Sequence, residues 1–181
     1  MDKAAVFIDG GYLNKVLKHV FGEPEIDYEL LSDRICGNDY ERLRTYYYNC
    51  MPFQSNPPTA AESRMYAQMN KFIYNLNRLN RFEVRLGRLQ KIGRTYKQKR
   101  VDVLLSVDLV RMSWNHQINK AVLLTGDSDF VPAIKAAKDA GVLTVAFYSR
   151  GAPQVYAHDE LLYECDERFE MTQELINSVT R

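Results

Sequence analysis

Cysteine is scarce in this chain, and the scarcity narrows the chemistry. Only 3 of the 181 residues are cysteines. Cys36, Cys50 and Cys165 lie far apart with no CxxC among them, which argues against a disulfide framework and against a thiolate zinc site. His19, His116 and His158 form no HExxH or similar spacing, so a histidine-held metal centre is equally unsupported. No apolar run approaches the roughly 18 residues that span a bilayer, and Met1 leads directly into "DKAAVFID" without a basic n-region, a long apolar core or a small-residue cleavage site. An intracellular, cytoplasmic protein with no membrane partner is therefore expected. Net charge is nearly absent as well: at +1 the molecule as a whole exerts no pull on nucleic acid or membranes. Neither GxxxxGKS/T nor GxSxG occurs, which removes a nucleotide-phosphate cradle and a nucleophile elbow. Linkers, repeats and low-complexity tracts are missing too, so residues 1–181 are expected to form one domain.

What is present is alternation. Ala4 to Ile8 is a short apolar run ending at Asp9-Gly10-Gly11, after which Leu13, Val16, Leu17 and Val20 recur at helical spacing. The aromatic "LRTYYYNC" of 43–50 suits a strand, "PFQSNPP" of 52–58 a loop, and a helix from about Ala60 carries Met65, Met69, Phe72, Ile73, Leu76 and Leu79 on one stripe. Phe82 to Ile92 alternates like a strand that turns at Gly93-Arg94 into a hairpin ending near Lys99, and 101–114 is helical in pattern. Ala121 to Thr125 and Val142 to Tyr148 are buried strands on either side of a helix from 130 to 140 that Gly141 closes, and the acidic tail from about 153 is helical in pattern. Strands alternating with helices predict an α/β fold: a doubly wound, mostly parallel sheet with helices on both faces and right-handed crossovers. Its crevice lies beyond the carboxyl ends of the strands, where strand order reverses.

Aspartates collect at that end. Asp9 follows the first strand, and in "LLTGDSDFVPAI" Asp127 and Asp129 follow another. Two carboxylates about 4 Å apart repel by about 4 kcal/mol at an effective dielectric of about 20, so something must offset them. Raised pKa values, the nearby Lys99 or Arg100, or a hard divalent cation would serve, and magnesium or manganese gives oxygen ligands a purpose. Asp102, in the first turn of the 101–114 helix, is a third source of carboxylate; complementing the helix dipole is its plainer role. Asp108, about 240° around the same helix, cannot easily share a site with it and is left to hold a base or support the primary ligands. Plainer readings exist for the others too, since Asp-Gly is a common turn and "DSD" makes a good helix cap. "FIDGG" matches the first motif of haloacid-dehalogenase phosphatases only at its first aspartate, because Gly11 stands where their second acid belongs. Carboxylate-held metal in an open crevice suits water attack on a phosphodiester.

The near-neutral total conceals a strong polarity. Between Glu62 and Arg100 stand eleven Lys and Arg against two acids, a net +9; with a total of +1, the rest of the chain carries −8. A basic ribbon beside an acidic centre would gather a phosphate backbone, through Arg64, Lys71, Arg85, Arg88, Lys91, Arg94, Lys97 and Arg100, with aromatics among them to stack on unpaired bases. The alternative is a solvated basic face that docks against the acidic tail of a second copy in a homodimer.

Taken in order, "FIDGGYLNKVL", "RFEVRLGRL", "KQKRVDVLLSVDLVRMSW" and "LLTGDSDFVPAIKAAKDAG" resemble the NYN domain family, in its LabA-like branch, from about Ala4 to Phe169. That family is similar in fold to PIN nucleases and flap endonuclease cores. The resemblance implies a Rossmann-like, PIN-like sheet and metal-dependent cleavage of RNA, single-stranded by expectation, by a magnesium- or manganese-dependent ribonuclease. It assigns Asp9, Asp102, Asp127 and Asp129 as catalytic metal ligands and matches Asp108 to a recurrent aspartate of the branch without a role; Asn14, Ser128, Lys99 and Asp108 are the candidates for supporting roles. One departure stands out: many relatives carry asparagine three residues after the first aspartate, where this chain has Tyr12, so Asn14 is the candidate replacement. A non-catalytic RNA-binding module of the same fold is the alternative function.

Overall fold

A computed structural model describes residues 1–92, 95–99 and 101–181, with side chains described outside 88–100. The chain runs β1 (Lys3–Asp9), α1 (Gly10–Val20), α2 (Tyr28–Cys36), β2 (Glu41–Cys50), α3 (Ala60–Asn77), β3 (Phe82–Ile92), β4 (Thr95–Lys99), α4 (Val101–Trp114), β5 (Lys120–Leu124), α5 (Val131–Asp139), β6 (Leu143–Tyr148), α6 (Asp159–Glu164), β7 (Glu167–Glu170) and α7 (Gln173–Val179). One seven-stranded sheet has the order β4-β3-β2-β1-β5-β6-β7. Six strands are parallel, and β4 returns antiparallel along β3, the pairing of a hairpin. The Gly93-Arg94 turn expected between them lies outside the described residues.

Strand parity builds two cores. Odd-numbered Ala5 and Phe7 of β1 and Ala121 and Leu123 of β5 face α4, α5 and α6, while Val6, Ile8, Val122 and Leu124 face α1, α2, α3 and α7. The "YYY" of β2 obeys the same period of two, with Tyr46 and Tyr48 in the first core and Tyr47 in the second. Strands covered on both faces lose the polar alternation of a half-exposed sheet, which is why β1 and β5 are almost purely apolar.

β1 is the central pivot. The chain winds outward through β2 and β3, then crosses back through α4 to place β5 on the other side of β1. Register sets Ile8 against Leu124 and Asp9 against Tyr48, so the ends of three strands open side by side where strand order reverses.

Two elements depart from the pattern expected from sequence. α2 arises in a stretch without a clear apolar period and is started by Asp27, whose carboxylate accepts the Glu29 and Leu30 N–H groups at 3.0 Å each. The tail is not wholly helical: β7 extends the sheet although all four of its residues are exposed. It carries one apolar side chain, Phe169, which packs on Phe147 at 5.4 Å, so no alternation announces it. The acidic tail is also partnered within the molecule. Asp166 accepts the Thr144 N–H and hydroxyl at 2.8 Å, Lys138 pairs with Glu164 and Asp166, and Arg150 pairs with Asp159. Among the described residues no helix is long and apolar enough to cross a membrane.

Candidate active site

At the carboxyl end of β1, Asp9 caps α1 by accepting the Tyr12 N–H at 3.1 Å. Its other oxygen accepts the Thr125 hydroxyl at 3.4 Å, and Thr125 Oγ1 in turn accepts the Asp127 N–H at 3.4 Å. Buried Thr125 thus ties the two loops together. Asp127 caps the short 3-10 turn Ser128–Phe130 by accepting the Asp129 N–H at 3.0 Å, an Asx cap of the kind the "DSD" spacing favours. Asp102 enters from the first turn of α4, which packs on the Phe7 face.

The capping role and the acidic cluster coexist. Burial raises the Asp102 pKa first, and the negative charges of Asp9, Asp127 and Asp129 raise it further. Burial likewise raises that of Asp9, opposed by the Tyr12 and Gly11 N–H groups and Lys15, with the charge of Asp127 adding to the rise. Four acids from three segments therefore feel one another, and among the described residues none of them forms an ion pair with Lys or Arg. An unneutralised set of hard oxygen donors is the chemistry a magnesium or manganese ion fits. As they stand, no three acidic, histidine or cysteine side chains among the described residues are spaced to hold a metal ion.

Tyr12, at the position many relatives give to asparagine, performs a different task. Its hydroxyl donates to the Val155 carbonyl at 3.1 Å and accepts the Ser149 N–H at 2.9 Å, and burial pushes its pKa up to about 12. Its ring covers Gly126, where any Cβ would collide with it. The glycine of "TGDSD" is thus the space Tyr12 occupies. Asn14 lines a groove, beside Asn49 and the buried Tyr47. Ser128 sits in the turn between the two loop aspartates.

Asp108 belongs to another network. It is buried, accepts the Tyr48 hydroxyl at 2.9 Å, and pairs with Arg111 at 3.1 Å and Arg85 at 3.6 Å. Of the two roles left to it, holding a base is the one seen: it pairs with two arginines, and its place around the helix turns it onto β2 and β3, where it ties α4 to the sheet. Arg85 is held by the same network, pairing also with Glu83 at 2.8 Å and lying over the Tyr46 ring. Of the basic ribbon, Arg64 and Lys71 are exposed and unpaired among the described residues, whereas Arg81 pairs with Glu41. The side chains of Arg88, Lys91, Lys97 and Lys99, and the whole of Arg94 and Arg100, lie outside the described residues. Sequence reading missed Thr125, whose only signal was a hydroxyl residue closing an apolar strand before Gly126.

A doubly wound, mostly parallel sheet with acids from separate segments at the carboxyl ends of its strands defines an α/β domain of the Rossmann-like, PIN-like fold class. The NYN domain signature matches residues 3–172, nearly the whole length, and the chain belongs to the NYN domain family. That family is generally nuclease-like. Among solved structures, a protein of unknown function from Vibrio parahaemolyticus superposes with a TM-score of 0.68 at 16% identity, over 96% of this chain and 94% of that one. The likeness is one of fold. No curated protein matches the sequence.

Proposed function

We propose that the chain is a magnesium- or manganese-dependent ribonuclease acting on single-stranded RNA, with Asp9, Asp102, Asp127 and Asp129 as ligands for one or two ions. The observation that carries this reading is the gathering of four mutually repelling carboxylates, unpaired with cations among the described residues, where strand order reverses. These four carboxylates would hold the ion, which would supply Lewis-acid activation of water and offset charge on the phosphate. The chain's own residues supply the positioning. Thr125 fixes Asp9 relative to Asp127, the α1 N-terminus holds Asp9, and exposed Arg64 and Lys71 offer charge to phosphates. The LabA-like assignment rests on the motif resemblance and is part of the same proposal.

The test is cleavage of labelled single-stranded RNA under magnesium or manganese. Turnover that chelator abolishes and Asp127→Asn lowers at least about a hundredfold, with thermal unfolding unchanged, supports the reading; cleavage indifferent to both refutes it. A second reading is a non-catalytic RNA-binding module, supported by the exposed Arg64 and Lys71, unpaired among the described residues. It predicts salt-sensitive RNA binding with no turnover under either metal.

A further inference from the structure

A groove of about 970 Å³ runs between α1 and α3, and Gly11 and Asn14, within the first two turns after Asp9, line it. α3 forms its outer wall. That helix is fixed at its start by a reciprocal capping box, with Thr59 accepting the Glu62 N–H and Glu62 accepting the Thr59 N–H. Its apolar stripe should be sealed against a core, yet only Leu76 of its 18 residues is buried, and Met65 is 57% exposed. The far end of the stripe packs, Phe72 lying edge-on to Tyr28 at 5.4 Å, while Met65 and Met69 line open space with Met51. Side-chain amides of Asn14, Asn49, Gln68 and Asn75 punctuate these walls, Lys15 and Lys18 line the α1 side, and Glu23 and Glu25 also border the space. Behind the wall lies Tyr47, fully buried, its ring edge-on to Tyr28 and Phe72 and its hydroxyl without a hydrogen-bond partner among the described residues. Its nearest polar neighbours include Asn14 and Asn49, which both line the groove.

We infer that this groove seats unpaired nucleobases of the strand whose phosphodiester lies at the acids, an assignment that rests on the proposed nucleic-acid substrate. Thioethers and aromatic rings are soft, sequence-tolerant platforms for the faces of bases, and amides supply both donors and acceptors to their edges. Lysines on the α1 side suit the phosphates between the bases. The volume, at the upper end of ligand pockets, holds more than one base. A duplex has its base faces stacked away and presents nothing for these walls.

The test uses the full chain carrying Asp127→Asn, in chelator, so that binding is measured without turnover. Fluorescence anisotropy compares a single-stranded RNA with an abasic strand of equal length and charge, against the parent and a Met65→Ala/Met69→Ala variant whose fold is checked by circular dichroism. The expected result is binding of the base-bearing strand weakened about tenfold by the double substitution, with the abasic strand unaffected. A 4-thiouridine strand should crosslink to the α3 segment of the parent. Equal losses for both strands, no loss for either, or crosslinks confined away from α1 and α3 would overturn the assignment. Should cleavage never appear while the base-dependent loss persists, the groove assignment stands and the nuclease reading falls. Intact cleavage with binding blind to bases removes the groove assignment and leaves the nuclease reading in place.

Discussion

Gly126 and Tyr12 form a matched pair: the ring fills the volume that a side chain at 126 would need, and its hydroxyl serves the Ser149 and Val155 backbone. Gly126→Ala should cost about 1–3 kcal/mol, measured as a lower urea midpoint, because the ring must leave its partners to make room. The acids have a different signature. Asp102 has a raised pKa in the fold and an ordinary one when unfolded, so its ionised form opposes folding at neutral pH. That opposition is absent below the ordinary carboxylate range and grows as pH rises through the raised value. In chelator, Asp102→Asn should therefore melt higher than the parent at neutral pH, with the gap closing near about pH 4. Manganese should raise the melting temperature of the parent at neutral pH and that of Asp127→Asn much less. The aspartates were legible in the sequence because strand ends and cap spacing announce them. Thr125 and Tyr12 were not, because their roles depend on partners more than a hundred residues away in the chain.

Among the elements, α4 shows how one helix serves two ends. Its first turn offers Asp102 to the site, while Asp108, less than two turns on, fastens it to β2 and β3 through Tyr48 and Arg85. Asp108→Ala would leave the buried Tyr48 hydroxyl without its acceptor and two arginines without their shared carboxylate. A loss of about 1–3 kcal/mol in chemical denaturation is expected, with cleavage by the folded protein retained; a selective loss of turnover would show that Asp108 also supports the site. Apolar patterning predicted β1, α1, β2, α3, β3, α4, β5, α5 and β6, because elements that bury a face must write it in the sequence. α2 and β7 escaped for the complementary reason: a short helix started by an Asx cap and an edge strand with four exposed residues owe their places to neighbours. α3 was foreseen as amphipathic, but not that its stripe would stand over a groove.

Across the whole molecule, charge is divided rather than balanced: +9 in the segment 62–100 against −8 elsewhere, with Asp159, Glu164 and Asp166 of the acidic tail paired by Lys138, Lys135 and Arg150. RNA binding should therefore weaken steeply with salt, and Lys71→Ala should lower the slope of log K against log salt by about one without altering sequence preference. A slope that does not change would remove Lys71 from the path of the strand.

The central position of β1 sets an order of assembly. It pairs with β2 soon after synthesis, but its other edge waits for residues 120–124, so a nascent chain leaving the ribosome carries "AAVFI" with one flank bare until most of the protein has been made. Such an edge invites pairing with a sister chain. Fragments that stop short of Lys120 should accumulate in the insoluble fraction, and those that include β5 and β6 should not.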